Sequence, residues 1–166
     1  LISHTPMMYR NQSSFYQLGY CKVNVAMMCV SPMDDEGYFN LHFGVATAKP
    51  VLEAADIVIL EVNERLPRVR NIQERLDAGI DANRIHISDV DIIVEGEHHP
   101  MVEIKSPPPS PEEVAIANFI APEIQDGAVL QLGVGGMPNI LGEHLAKSDI
   151  QDLGCHSELI TDAFYN

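Results

Sequence analysis

The stretch that decides the fold is Asp126–Leu145, DGAVLQLGVGGMPNILGEHL, in which an apolar run, a glycine-rich turn and an amphipathic run follow one another. The apolar run predicts a strand. The amphipathic run predicts a helix with Pro138 in its first position, where a missing N–H costs nothing. Because strands that turn into helices in this way build parallel sheets, we expect an α/β fold with open sheets and flanking helices.

The glycines of this turn predict a site for an anion or a developing oxyanion. The loop consists of Gly133, Val134, Gly135, Gly136 and Met137. Glycine lets the backbone approach a ligand closely, and a helix amino terminus adds partial positive charge to free N–H groups. A tight turn without a ligand explains the same residues. No Gly-Lys-Ser/Thr follows, and Pro138 stands where a dinucleotide fingerprint has its third glycine, so neither nucleotide motif is present.

The rest of the chain repeats the alternation of strand and helix. The predicted strands are Lys22–Val30, Asp56–Asn63, roughly Val90–Glu95, and a short one over Leu153–Ile160. The predicted helices are Lys49–Ala55, Arg70–Gly79, and one that starts at Ser110 and Pro111 and ends near Gln125. The segment Ser31–Asn40 is predicted to be a tight loop. Near-continuous β-branched residues in Asp56–Asn63 suggest that both faces of that strand are covered.

A proline run divides the chain. KSPPPSPEE, residues 105–113, cannot be a helix interior or a central strand, so we expect a stiff extended connector. The predicted domains are residues 1–105 and 112–166, joined by a linker over 106–111. The chain opens with LISHTPMMYR rather than with Met, which suggests a piece of a longer polypeptide.

Composition excludes several classes of function. The formal net charge is −14, whereas nucleic-acid binding needs a basic face. No apolar run reaches the roughly 18 residues that a membrane helix needs. Cys21, Cys29 and Cys155 form neither a disulfide framework nor a zinc pattern, which predicts a reducing, cytoplasmic location. His98 and His99 look like a metal pair, but no further ligand has suitable spacing, so we expect a solvated loop and no metal.

Several segments resemble the acetyl-CoA hydrolase/transferase family, which includes 4-hydroxybutyrate and butyryl-CoA:acetate CoA-transferases. The similar segments are DGAVLQLGVGGMPNILGEHL and DLGCHSELITD, preceded in the same order by VNVAMMCVSPMDDEGYFNL, AADIVILEVNERLPRV and IHISDVDIIVE. The resemblance covers nearly the whole chain. It implies a CoA-transferase-like fold of two α/β lobes, in which residues 1–105 form the later part of the N-terminal lobe and 112–166 the start of the catalytic lobe.

The resemblance also implies an activity and its residues. It implies transfer of coenzyme A between a short-chain acyl-CoA (acetyl, butyryl or 4-hydroxybutyryl) and a carboxylate acceptor. Glu158, within His156-Ser157-Glu158, matches the family nucleophile, and the glycine loop matches part of the coenzyme A site. Coenzyme A is then a substrate, and the remainder of a longer chain and a homo-oligomer are implied. An acetyl-CoA hydrolase of the same family and a non-catalytic nucleotide-binding module are the alternatives.

The implied chemistry suits a glutamate beside backbone amides. A carboxylate is ionised at neutral pH and attacks a thioester without an activating base. Each step of a ping-pong reaction through a glutamyl-CoA thioester passes through a tetrahedral oxyanion, which fixed backbone donors stabilise. Glu61, Asn63 and His156 are further candidates for the pocket. Solvated strand ends are the favoured explanation of the first two, and structural packing is favoured over assistance by hydrogen bonding for His156.

Overall fold

The computed structural model describes residues 4–45, 47–70, 77, 83–103 and 108–165. The chain divides into two compact units, Leu1–Val102 and Glu103–Asn166. Most of the predicted helix over Arg70–Gly79 and part of the proline linker lie outside the described residues. The assignment of the two units to two lobes of a larger protein stays a prediction.

The first unit is built on a three-stranded parallel sheet. In chain order its elements are α1 (Gln12–Gln17), β1 (Val23–Val30), β2 (Tyr38–Asn40), α2 (Ala48–Ala54), β3 (Ala55–Val62), β4 (Arg84–His86) and β5 (Ile92–Glu95). The sheet order is β1-β3-β5, and both pairings are parallel. The predictions of β1, α2, β3 and β5 are confirmed to within two residues at each end. The parallel α/β architecture is confirmed with them.

A small antiparallel pair corrects one prediction. β2 pairs with β4 in the register Phe39 opposite Ile85, so the last residues of the predicted loop Ser31–Asn40 form a strand. The remaining loop is organised by Asp34, whose Oδ1 accepts from the Tyr38 N–H at 2.8 Å. Neither three-residue strand is long enough to show a period, and their pairing joins distant parts of the chain. Local sequence patterns therefore missed both.

The core of the first unit lies on one face of the parallel sheet. Leu52 of α2 and Phe39 of β2 pack with Val58 and Leu60 of β3. On the opposite face Ile57 is 41% exposed. The expectation that both faces of this strand are covered is therefore not met among the described residues, because α2 and the β2–β4 pair both pack on the same side.

The second unit is two helices packed on a two-stranded parallel sheet. In chain order its elements are α3 (Pro111–Ile120), β6 (Val129–Leu130), α4 (Gly136–Ala146) and β7 (Gly154–Cys155). Ala117, Leu132 and Leu141 are central to its core. The predicted start of α3 is confirmed. Its regular part ends at Ile120 rather than near Gln125, because Pro122 lacks an N–H and clashes with the preceding turn.

The helix after the glycine loop begins earlier than predicted. α4 starts at Gly136, with Gly135 as its N-cap, so Pro138 takes the third position and not the first. Proline is tolerated there because the first N–H groups of a helix have no intrahelical acceptor. Of the strand predicted over Leu153–Ile160, only Gly154–Cys155 forms a strand. Within the described ranges, none of the helices has the length and apolar character needed to span a membrane.

Candidate functional site

The glycine loop and the His156–Glu158 segment leave the second unit at the same edge of its sheet. β6 and β7 are parallel, with Leu130 opposite Cys155. The His156 N–H donates to the Leu130 carbonyl oxygen at 3.0 Å, which extends the ladder past the last paired residues. Because parallel strands run in the same direction, both segments continue from the carboxyl ends of their strands. Ligands commonly bind at that edge of α/β sheets.

A side-chain hydrogen bond joins the two segments just beyond the strands. The Ser157 Oγ donates to the Leu132 carbonyl oxygen at 3.3 Å. Leu132 directly precedes Gly133, and Ser157 directly precedes Glu158. The bond thus connects the backbone at the start of the loop to the backbone next to the candidate nucleophile. The Glu158 side chain is exposed.

The structure explains two of the three glycines of the loop. Gly135 has a φ of +147° and a ψ of 175°, a region that only glycine occupies readily. A Cβ atom on Gly136 would lie 2.8 Å from a carboxylate oxygen of Glu113, so this glycine permits a close approach. At Gly133 a Cβ atom would meet no heavy atom within 4 Å. Neither backbone strain nor packing within the described chain therefore requires glycine at position 133.

The loop offers backbone donors rather than charged side chains. Apart from the proline, residues 133–138 have N–H groups that donate to no acceptor among the described residues. Val134 is exposed and Met137 is half-buried. Lys147 is the only Lys or Arg in residues 112–166, and it pairs with Glu143 at 3.6 Å near the far end of α4. Unpaired amides at a helix amino terminus suit an oxyanion or a carbonyl oxygen.

Glu61 lies at the carboxyl edge of the parallel sheet in the first unit. It is exposed, and it stands opposite Cys29 of β1 in the register of the sheet. A Cβ atom on Gly96, the residue after β5, would lie 2.7 Å from Glu61 Oε1. Burial and then the Glu61 carboxylate raise the pKa of the Cys29 thiol. The thiol and the carboxylate are thus close neighbours at this edge.

Asn63 is used inside the fold. It is only 7% exposed. Its Nδ2 donates to the His99 carbonyl oxygen at 2.9 Å, and its Oδ1 accepts from the Arg65 N–H at 2.9 Å. These bonds pin the segment after β5 to the end of β3. They use one donor and one acceptor of the side-chain amide.

The histidines hold no metal site among the residues that the structure describes. The Nδ1 of His98 accepts from the Glu64 N–H at 3.3 Å, and His99 lies near Glu97 on the surface. No group of three His, Cys, Asp or Glu side chains in the described ranges could hold a metal ion. His156 is exposed, and its backbone N–H donates to the Leu130 carbonyl oxygen of β6.

Sequence reasoning missed Glu113 and Cys29 as neighbours of the candidate residues. A signal existed for Glu113, because Ser110 and Glu113 have the spacing of a capping box. Nothing in the spacing indicated that the capping carboxylate would also contact Gly136, in the next helix. Cys29 could have been paired with Glu61 only once the register of β1 and β3 was known.

Comparison with known proteins agrees with these observations. Residues 1–104 match the model of the acetyl-CoA hydrolase/transferase N-terminal domain. The chain is 41% identical over 162 residues to the butyryl-CoA:acetate CoA-transferase of Anaerostipes caccae, covering 97% of this chain and 34% of that protein. It is 37% identical over 161 residues to the 4-hydroxybutyrate coenzyme A transferase of Clostridium kluyveri, covering 96% and 34%.

A solved structure has the same fold. The crystal structure of RipA from Yersinia pestis superposes with a TM-score of 0.83 at 34% identity, covering 97% of this chain and 34% of that one. The chain therefore spans about a third of the length of the proteins that it matches.

Proposed function

This chain belongs to the acetyl-CoA hydrolase/transferase family, and on that premise we propose that the full-length protein containing it is an acyl-CoA:carboxylate CoA-transferase. The acyl group is acetyl, butyryl or 4-hydroxybutyryl, and the acceptor is a small carboxylate. The observation that carries the proposal is the parallel pairing of β6 with β7. It brings the glycine loop and the segment before Glu158 to one edge, tied by Ser157 and Leu132.

The reaction begins at the Glu158 carboxylate. One carboxylate oxygen attacks the thioester carbonyl of the acyl-CoA, the carbon–sulfur bond breaks, and an acyl-glutamyl anhydride and CoA thiolate form. The thiolate attacks the glutamyl carbonyl and releases the first acid, which leaves a glutamyl-CoA thioester. An acceptor carboxylate then reverses these steps and departs as the new acyl-CoA. Atoms and electrons balance in these steps without a metal or a redox partner.

The glycine loop supplies the donors that each tetrahedral intermediate needs. Free amides of residues 133–137 stabilise the oxyanion, and one such donor is worth about 3 kcal/mol. The single lysine of residues 112–166 lies at the other end of α4. We therefore assign the loop to the reacting end of the acyl-CoA rather than to its phosphates. Glu61, with Cys29 beside it, remains a proposed pocket residue, whereas the internal bonds of Asn63 favour a supporting role.

Hydrolysis is the second candidate. Water attack on either covalent intermediate would make the protein an acetyl-CoA hydrolase. A homo-oligomer and a cytoplasmic location complete the proposal. The location is supported by the three unpaired cysteines, which fit a reducing compartment.

The test is a mass spectrum of the full-length protein after exposure to butyryl-CoA or acetyl-CoA without acceptor. We expect a CoA adduct on the peptide that contains Glu158, cleaved by hydroxylamine and absent from Glu158→Gln. The matched control is Glu143→Gln, an exposed acid of the same unit that should retain the adduct. Formation of acetyl-CoA and butyrate from butyryl-CoA and acetate, rather than release of free CoA by water, separates transferase from hydrolase. Absence of any adduct on Glu158 in the wild type would refute the proposal.

A further inference from the structure

The carboxylate of Glu113 lies against the first residue of the helix that follows the glycine loop. A Cβ atom on Gly136 would be 2.8 Å from Oε2 and 2.9 Å from Oε1 of this side chain. Gly136 is buried, and Glu113 is half-buried in the first turn of α3. The amino-terminal turns of α3 and α4 therefore meet around one carboxyl group.

This carboxyl group is held in place from its own helix. Its Oε2 accepts from the Ser110 N–H at 2.7 Å. In return, the Glu113 N–H donates to the Ser110 Oγ at 3.2 Å, which completes a capping box. A side chain tied in this way loses its rotamer freedom and forms a fixed surface. The backbone at Gly136 rests on that surface.

The loop itself has few other supports. Its amides from residue 133 to 137 make no hydrogen bond within the described ranges, and Gly135 has a conformation open chiefly to glycine. A glycine-rich backbone without internal bonds does not hold donors in one direction unless a neighbour restrains it. The restraint on the helix side of the loop is the Glu113 carboxylate, and on the strand side it is the Ser157–Leu132 bond.

We propose that Glu113 is a positioning residue for CoA transfer. Anchored by Ser110, its carboxylate fixes the glycine loop so that the free amides point where the oxyanion forms at Glu158. This inference rests on the proposed function. Glu113 touches neither substrate nor reacting atoms; it acts through Gly136. Its contribution is realised in the transition state and not in the binding of acyl-CoA.

The kinetic test uses three variants of the full-length protein. Glu113→Ala removes the anchor, and we expect kcat to fall by about 10- to 100-fold with KM unchanged within about twofold, because misplaced donors weaken transition-state binding. Glu113→Gln keeps an oxygen for the Ser110 N–H in the same volume and should restore kcat to within about threefold of the wild type. Ser148→Ala, which removes a hydrogen bond to Leu145 at the other end of α4, should leave kcat unchanged.

Hydrogen exchange of the peptide that spans the loop and the first turn of α4 provides a readout that does not depend on activity. The Asn139 N–H donates to the Gly135 carbonyl oxygen at 3.3 Å; we expect its exchange to be faster in Glu113→Ala and unchanged in Glu113→Gln and Ser148→Ala. If the wild type forms no glutamyl-CoA adduct, the proposed function fails while exchange still tests the contact. If the wild type is active but Glu113→Ala changes neither kcat nor exchange, or Ser148→Ala lowers kcat as much, the positioning role is wrong.

Discussion

The Ser157 hydroxyl donates a hydrogen bond to the Leu132 carbonyl oxygen at 3.3 Å. This bond crosses from one strand extension to the other, directly before Gly133 on one side and directly before Glu158 on the other. Through this side-chain bond, the backbone before the glycine loop is connected to the segment that contains the proposed nucleophile. The hydroxyl thus adds a side-chain restraint on the segment before Glu158 to the backbone ladder between β6 and β7.

Removal of that hydroxyl should slow the reaction more than it weakens the fold. We expect Ser157→Ala to lower kcat of the full-length protein by about 3- to 10-fold, because the nucleophile is held less accurately. One partly exposed hydrogen bond contributes only about 1 kcal/mol to stability. Ser157→Thr retains the hydroxyl and serves as the control. Steady-state kinetics beside urea unfolding will check this, and equal kcat in Ser157→Ala and the wild type would contradict it.

Gly133 and Gly135 of the loop should respond differently to alanine. Gly135→Ala must adopt a backbone conformation that costs about 1–3 kcal/mol, so urea unfolding should show a loss of stability. At Gly133 a Cβ atom has open space and no unusual φ, so Gly133→Ala should change stability by less than about 0.5 kcal/mol.

The kinetics of Gly133→Ala test whether the loop backbone approaches a ligand. If the backbone at Gly133 must come close to acyl-CoA, Gly133→Ala lowers kcat/KM by about tenfold or more despite its normal stability. Wild-type kinetics in Gly133→Ala would instead favour a tight turn without a ligand.

The reactivity of the Cys29 thiol tests whether the Glu61 carboxylate lies beside it. Burial and then the Glu61 carboxylate raise the pKa of this thiol, so little thiolate is present near neutral pH. Glu61→Gln removes the charge and should speed alkylation of Cys29 by iodoacetamide, measured by peptide mapping at pH 8.5. Glu64→Gln, a change at an exposed acid beyond the end of the same strand, is the control. An unchanged rate in Glu61→Gln would place the carboxylate away from the thiol.

His42 should make the first unit sensitive to acid. Its Nε2 contacts the Cys29 carbonyl oxygen at 3.1 Å, and its Nδ1 accepts from the Gly44 N–H at 3.1 Å, which requires the neutral ring. Burial lowers the pKa of His42, partly offset by the bond to Cys29. The unfolded chain, with an ordinary pKa of about 6.5, therefore binds a proton more readily than the folded chain.

The sign of the pH effect follows from that difference. The stabilisation is complete above about pH 6.5 and is lost as the pH falls from there through the lower folded pKa. Urea unfolding between pH 8 and pH 5 should show this loss. It should be smaller in His42→Asn, whose side chain tolerates the positive φ of 45°. His99→Asn, at an exposed site, should keep the wild-type profile, and an identical profile in His42→Asn would exclude His42 as the cause.

The long elements of this protein could be predicted from local sequence. β1 and β3 are apolar runs bounded by turns, and α3 begins at a capping box with proline in its first turn. The candidate loop was visible for the same reason, since glycines between a strand and a helix have a local meaning. The choice of Glu158 was different. Among nine acidic residues of 112–166, only the family resemblance distinguished it.

The sequence by itself therefore determined where the longer strands and helices form and where the glycine loop turns, because propensity, periodicity and capping act over a few neighbouring residues. Tertiary structure alone decided the pairing of β2 with β4, the contact of Glu113 with Gly136, and the meeting of Ser157 with Leu132. Each of these joins residues more than twenty positions apart. Such contacts depend on how whole elements pack and in which register they pair, and no local pattern encodes that geometry.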